Sequence, residues 1–200
     1  MQKINEMTDR EAAQKGFSEH YAEGNTPWDI GRPKPPFIAI TDKVVEPVLD
    51  AGCGTGDTSI FFAARGLKVI GIDFVEAAIR KAESKAAGRG LPVEFMVKDA
   101  VDLENWDRKF NTVIDSGLLH ACWNRQKYVK GLGHVLNPGG HLFLYYFIAD
   151  PSSPGGGISD DELKKFFTEG WEIESIQSAD FSGEDSSEWK MNFAIIRRIS

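Results

Sequence analysis

The chain has 200 residues and a formal net charge of −7, so it can bury roughly 70% of its unfolded surface and its long-range field repels phosphate backbones. No apolar run approaches the roughly 20 residues that span a bilayer, and the polar N-terminus has no secretory core. Cys53 and Cys122 are too few for a disulfide framework or a zinc cluster, so a cytoplasmic protein with no membrane partner, no nucleic acid and no metal is expected.

Thr8 and Glu11 predict a capping box for a first helix, with Phe17 and Tyr21 four apart on one face. TPWDIGRPKPPF (26–37) follows, and its four prolines exclude a regular helix there. VEPVLDAG (44–52) reads as a strand entering a glycine turn, DTSIFFAARG (57–66) as a helix, and LKVIGIDF (67–74) as a second strand. EAAIRKAESKAAG (76–88) is a second helix whose basic residues read as a solvated face. PVEFMVKD (92–99) is a third strand, 103–108 a weak helical segment, and FNTVIDS (110–116) a fourth strand. The helix RQKYVKGLGHVL (125–136) and the turn 137–140 lead to HLFLYYF (141–147), whose unbroken apolar run suits a strand covered on both faces.

After a glycine-rich loop (149–160), Ser159 and Glu162 predict a capped helix over 161–170. Strands at 171–181 and 189–198 are separated by only SGEDSSE, too short for a crossover helix, so this pair is antiparallel. The expected fold is α/β: one doubly wound, Rossmann-like, seven-stranded sheet with five parallel strands and a C-terminal antiparallel hairpin.

The strongest chemical signal is LDAGCGTG (49–56), between a strand and a helix N-terminus. That is the carboxyl edge of the sheet, where doubly wound folds bind ligands. Asp73, Asp99 and Asp115 end the next three strands. Nicotinamide-binding turns space their glycines G-x-G-x-x-G to face a pyrophosphate. Here the third glycine comes one residue earlier, and Asp50 precedes the first by two. A carboxylate at that mouth repels phosphate and suits an ammonium.

VLDAGCGTG, GIDF, VKDA and FNTVIDS, followed by NPGGHLFLYYF, resemble the successive motifs of the class I S-adenosylmethionine-dependent methyltransferases, from Phe17 onward. The resemblance implies one domain over 1–200, with 1–40 as a helix and strap over the site and 41–200 as the cofactor-binding core. It implies that Asp50, Ala51, Gly52, Cys53 and Gly54 line the methionine part of S-adenosylmethionine, whose product is S-adenosylhomocysteine. Asp73 and Phe74 would hold the ribose and flank the adenine, Asp99 and Ala100 would meet the adenine, and Asp115 would lie near the reacting end.

GNTPWDIGRPKPPF (24–37) is similar to the strap of the thiopurine, thiol and halide methyltransferases and their small bacterial relatives. That implies Trp28 near the methionine end and Phe37 as an apolar wall; an aromatic face also suits a sulfonium. A second reading of Trp28, that it only fills a groove, is compatible with the first. The expected acceptor is a small molecule, a thiol or the hydroxyl or nitrogen of an aromatic or heterocyclic compound. Its pocket would be Tyr21, Trp28, Phe37, His120 and Trp123.

Methyl transfer from a sulfonium depends mostly on positioning and exclusion of water. A thiol already offers some thiolate at neutral pH, whereas a phenol or protonated amine calls for a base. His120 is the first candidate base, with Tyr21 and His20 behind it; a purely structural His120, bonded within its loop, stands beside that reading. The alternatives are a nucleic-acid methyltransferase, a nicotinamide oxidoreductase and a non-catalytic adenosylmethionine-binding protein. Either a monomer or a homodimer fits.

Overall fold

The computed structural model describes residues 8–149, 157–179 and 190–200. Thr8 caps helix α1 (Asp9–Glu23): its hydroxyl accepts the Glu11 N–H, Glu11 returns the bond, and Gly24 ends the helix in the left-handed region. The proline stretch does contain a helix, α2 (Pro35–Ala39), contrary to expectation. Pro35 and Pro36 fill its first turn, where a missing N–H costs nothing and a fixed φ helps.

Seven strands follow: β1 (Val48–Ala51), β2 (Val69–Asp73), β3 (Glu94–Val97), β4 (Phe110–Ser116), β5 (Leu136–Phe147), β6 (Trp171–Ala179) and β7 (Met191–Arg198). They form one sheet in the order β3-β2-β1-β4-β5-β7-β6. The first five are parallel, and β7 runs antiparallel to both β5 and β6. That is the expected seven-stranded fold, with shorter strands: β1 begins at Val48 rather than 44. The connector between β6 and β7, and most of the loop 149–160, lie outside the described residues.

Helices α3 (Asp57–Ala63), α4 (Glu76–Ala87), α5 (Leu118–Ala121), α6 (Arg125–Val135) and α7 (Asp160–Phe166) complete the chain. Helix α4 turns Ala78, Ile79, Ala82 and Ala86 inward, the i, i+4, i+8 stripe of a helix on a sheet. The weak helical segment proves to be a 3-10 turn over Ala100–Asn105, earlier than expected because Asp99 caps it from its own N-terminus. The turn 137–140 is spliced into β5: β4 advances from Phe110 to Thr112 while β5 advances from Leu136 to His141.

The core lies on both faces of the sheet. Along β5, Leu142, Leu144 and Tyr146 join one apolar layer while Phe143 and Tyr145 join the other. This two-sided burial is why that strand has no polar alternation. Strand order reverses between β1 and β4, and the cleft opens at their carboxyl ends.

Candidate active site

A cavity of about 1000 Å³ occupies that reversal point. Its floor is the glycine turn after β1. Gly54 takes φ +54°, and a Cβ there would stand 2.8 Å from the Tyr21 hydroxyl. Gly56 takes φ +82°, and its Cβ would strike Phe95 and Ala82 at 2.7 and 2.8 Å. The first glycine therefore lets the N-terminal helix close over the turn; the last lets α4 pack on the sheet.

Three of the four predicted carboxylates line the cavity above this floor. Asp50 Oδ2 accepts the Ser59 hydroxyl at 2.6 Å, while Oδ1 is buried without a hydrogen-bond partner. Burial pushes its carboxyl up to about 6 against the opposing pull of Ser59. Asp73 accepts the Val75 N–H on Oδ1 at 2.8 Å and the Gly54 N–H on Oδ2 at 3.0 Å, so β2 holds the glycine turn in place. Burial raises it to about 6 as well. Asp99 accepts the Val101 N–H at 2.9 Å and the Trp123 Nε1–H at 3.3 Å, and pairs with Arg10 of α1 at 3.0 Å.

Asp115 is different. Expected near the reacting end, it is fully buried and does not line the cavity. Its carboxylate accepts the N–H groups of Gly117, Leu118 and Leu119 and the Tyr128 hydroxyl, and burial lifts it to about 7. It builds the loop that presents Leu118 and His120, without itself lining the cavity. Ala51 is likewise buried in β1 and off the wall.

Phe37 also corrects an expectation. It is completely buried, edge-on to Phe193 at 5.5 Å and Tyr145 at 6.3 Å, behind the cavity rather than in it. The cause is α2, whose turn points this side chain at the sheet. The remaining predicted residues, Tyr21, Trp28, Gly52, Cys53, Gly54, Phe74, Asp73, Asp99, Ala100, His120 and Trp123, share the one cavity. Tyr21 stands over the glycine turn and accepts the Trp28 Nε1–H at 3.2 Å. Burial and Asp73 raise its hydroxyl well above the usual phenol range, which keeps it protonated. His20 lies outside the cavity, its Nδ1 bonded to the Asn25 carbonyl at 2.9 Å.

His120 follows β4 in α5. Burial, then the positive charge of Arg125, push its imidazole down to about 4. Beside it the wall is apolar: Leu118, Tyr145, Phe147 and Met191. Met191 and Phe147 are paired residues of β7 and β5, far apart in sequence. Cys53 and Cys122 line the cavity too; burial raises both thiols, Cys122 to about 12, so neither is a ready nucleophile.

One cluster had no signal in the sequence. Thr55 donates to Asp29 at 2.8 Å, and Lys85 of α4 donates to Thr55 at 2.6 Å and Asp57 at 2.9 Å. Lys34 donates to the Trp28 carbonyl at 2.9 Å, and burial lowers its amine to about 8. These bonds hold residues 28–34 against the glycine turn. Among the described residues no group of ligating side chains is arranged to hold a metal, and no helix is long and apolar enough to cross a membrane.

The family described as "Methyltransferase domain" matches residues 48–140, β1 through the start of β5. A 2-heptyl-1-hydroxyquinolin-4(1H)-one methyltransferase of Mycobacteroides abscessus is 32% identical over 178 residues, 84% of this chain and 78% of that one. The chain belongs to the S-adenosylmethionine-dependent methyltransferases. A solved structure concerned with conversion of a disulfide bond into a thioacetal group during echinomycin biosynthesis is 32% identical to this methyltransferase. The two superpose with a TM-score of 0.81 over 93% of this chain and 91% of that one. The 1,6-didemethyltoxoflavin-N1-methyltransferase of Burkholderia thailandensis, 19% identical, shares the fold at a TM-score of 0.79 over 100% and 93% of the two chains.

The cofactor of this small-molecule methyltransferase is S-adenosylmethionine, and the floor of its cavity fits that molecule. A buried carboxylate oxygen without a partner answers an ammonium, the glycine turn leaves room that a Cβ would fill, and Asp73 has lone pairs left for two hydroxyls.

Proposed function

We propose that this methyltransferase acts on a flat, apolar heteroaromatic compound carrying an acidic hydroxyl or thiol, and methylates that oxygen or sulfur. The observation that carries the reading is the second half of the cavity. Leu118, Tyr145, Phe147 and Met191 give it a mostly apolar wall with two aromatic rings, suited to a ring system, and His120 places a polar group in the same wall. The N-hydroxyquinolone named for the Mycobacteroides relative is such a compound, and the thioacetal chemistry named for the solved relative occurs at sulfur. The resemblance of residues 24–37 to the thiopurine and thiol methyltransferase strap supports the same class.

In this reading Asp50 meets the methionine ammonium, Gly52, Cys53 and Gly54 follow the methionine chain, and Tyr21 and Trp28 close over it. Asp73 and Phe74 hold the ribose, while Asp99, Ala100 and Trp123 border the adenine. The bound cofactor supplies an electrophilic methyl on a cationic sulfur; the protein aligns the acceptor and keeps water out. The test is incubation with S-adenosylmethionine and a panel of N-hydroxyquinolones, acidic phenols, thiols and amines, read by mass of the methylated product. Transfer to hydroxyl or thiol acceptors is expected; transfer to amines alone would overturn the reading.

A further inference from the structure

The two ring nitrogens of His120 have unequal surroundings. The backbone N–H of Phe147 points at Nδ1 from 3.4 Å. An amide N–H has no lone pair to offer, so a proton on Nδ1 would set two donors against each other. The neutral ring therefore carries its proton on Nε2, which makes no hydrogen bond among the described residues of the cavity wall.

The groups around the ring keep it neutral. Phe147 of β5 packs edge-on with centroids 4.5 Å apart. Arg125 of α6 donates to the His120 carbonyl at 2.8 Å while pairing with Glu162 of α7 at 2.9 Å, and its positive charge adds to burial in disfavouring a charged ring. Cys122 keeps its proton, and Asp115 spends its oxygens on its own loop and on Tyr128. Among the described residues, no carboxylate pairs with the imidazole to favour a charged ring.

We propose that His120 is a hydrogen-bond donor to the acceptor's nucleophilic atom, not a general base, and that it thereby selects acceptors that enter already ionised. This rests on the methyl-transfer reading above. The balance closes without a proton. An oxygen or sulfur anion forms the bond to the methyl carbon as the carbon–sulfonium bond breaks, its electron pair remaining on sulfur, and anion and cation become two neutral products. An Nε2–H aimed at the anion lowers the acceptor's own pKa in the complex, because hydrogen bonding to a charged form favours it. A neutral amine gains nothing from such a donor.

Two measurements test this on the full chain. Imidazole 15N NMR with S-adenosylhomocysteine bound reports the tautomer directly; the Nε2–H form is expected to persist from about pH 5.5 to about pH 8. His120→Gln keeps an N–H close to the Nε2 position but cannot take a proton, whereas His120→Ala has neither. The alanine variant is expected to lose roughly tenfold to hundredfold in kcat/KM, with the glutamine variant recovering most of it. Across acceptors of different acidity, the rise of kcat/KM with pH is expected to follow each acceptor's pKa. An Nδ1–H or charged ring, or a glutamine variant as slow as the alanine one with a pH profile fixed whatever the acceptor, would overturn the donor role. An Nε2–H ring in a protein that methylates no hydroxyl or thiol would overturn the acceptor class instead.

Discussion

Ser59 donates to one oxygen of Asp50 at 2.6 Å, and the other oxygen of that carboxylate is buried with nothing to meet it. An unpaired buried acceptor costs stability in the free protein and becomes an asset once an ammonium arrives. Asp50→Asn is therefore expected to raise the melting temperature of the free protein while weakening S-adenosylhomocysteine binding roughly tenfold to hundredfold. Thermal melts with and without ligand read both effects. Equal affinity in the variant would remove Asp50 from the cofactor site.

The same burial predicts an inverted pH response. Asp50 and Asp73 titrate at about 6 and Asp115 at about 7 in the folded chain, above the ordinary carboxylate value, because burial disfavours their charge. Between pH 4 and those values the native state holds more protons than the unfolded one, so stability falls as pH rises through the window. Glu11, Glu94 and Asp102, held below their ordinary values by hydrogen bonds, act the other way in more acidic solution, and His120, pushed down from 6.5 to about 4, opposes the trend up to about pH 6.5 as one group against three carboxylates. The ligand-free protein is expected to melt higher at about pH 5.5 than at about pH 8. Affinity for S-adenosylhomocysteine should move oppositely, falling below about pH 6 as Asp50 gains its proton. A melting temperature that climbs with pH across this range would contradict the assignment.

How much of this was legible in the sequence follows from how local each signal is. The glycine turn, Asp73 and Asp99 sit where a strand gives way to a turn, and a strand-turn-helix pattern reads from neighbours alone. The place of Phe37 is not legible locally, because four prolines argue against a helix over 26–37 and only a helix starting at Pro35 turns the ring to the core. Asp115 misled because its position at a strand end matched Asp73, yet the next residues fold back and consume its oxygens. Met191 carried no signal, since only the antiparallel register of β7 brings it beside Phe147. Lys85 read as part of a solvated face, and its reach to Thr55 and Asp57 spans about thirty residues of chain.

The corrected position of Phe37 has its own test. Its ring is fully buried between Tyr145 and Phe193, so Phe37→Ala leaves a core cavity and is expected to cost about 3–5 kcal/mol of stability. Denaturant unfolding measures this, and at a temperature where the variant is folded its acceptor KM should be unchanged. A large KM change with little loss of stability would return Phe37 to the cavity wall.

Lys85 is the hinge of the contacts that hold the strap down. Its ammonium lies 2.9 Å from Asp57 and 3.9 Å from Asp29, and Thr55 bridges Asp29 to the same group. Without it, two carboxylates face one hydroxyl with the half-desolvated Lys34 amine left to offset them, and their repulsion is relieved by moving residues 28–34 outward. The pair is partly exposed, with 32% of the lysine and 12% of the Asp57 side chain open to water, so solvent screens the effect. Lys85→Met is expected to speed S-adenosylhomocysteine dissociation by about twofold to tenfold and to expose the 26–34 segment to limited proteolysis. Adding Asp29→Asn removes the repulsion and should restore part of the slow dissociation. Stopped-flow displacement reads the rates. If the lysine variant released ligand at the wild-type rate, the strap would have to be held by Lys34 and the Trp28–Tyr21 bond instead.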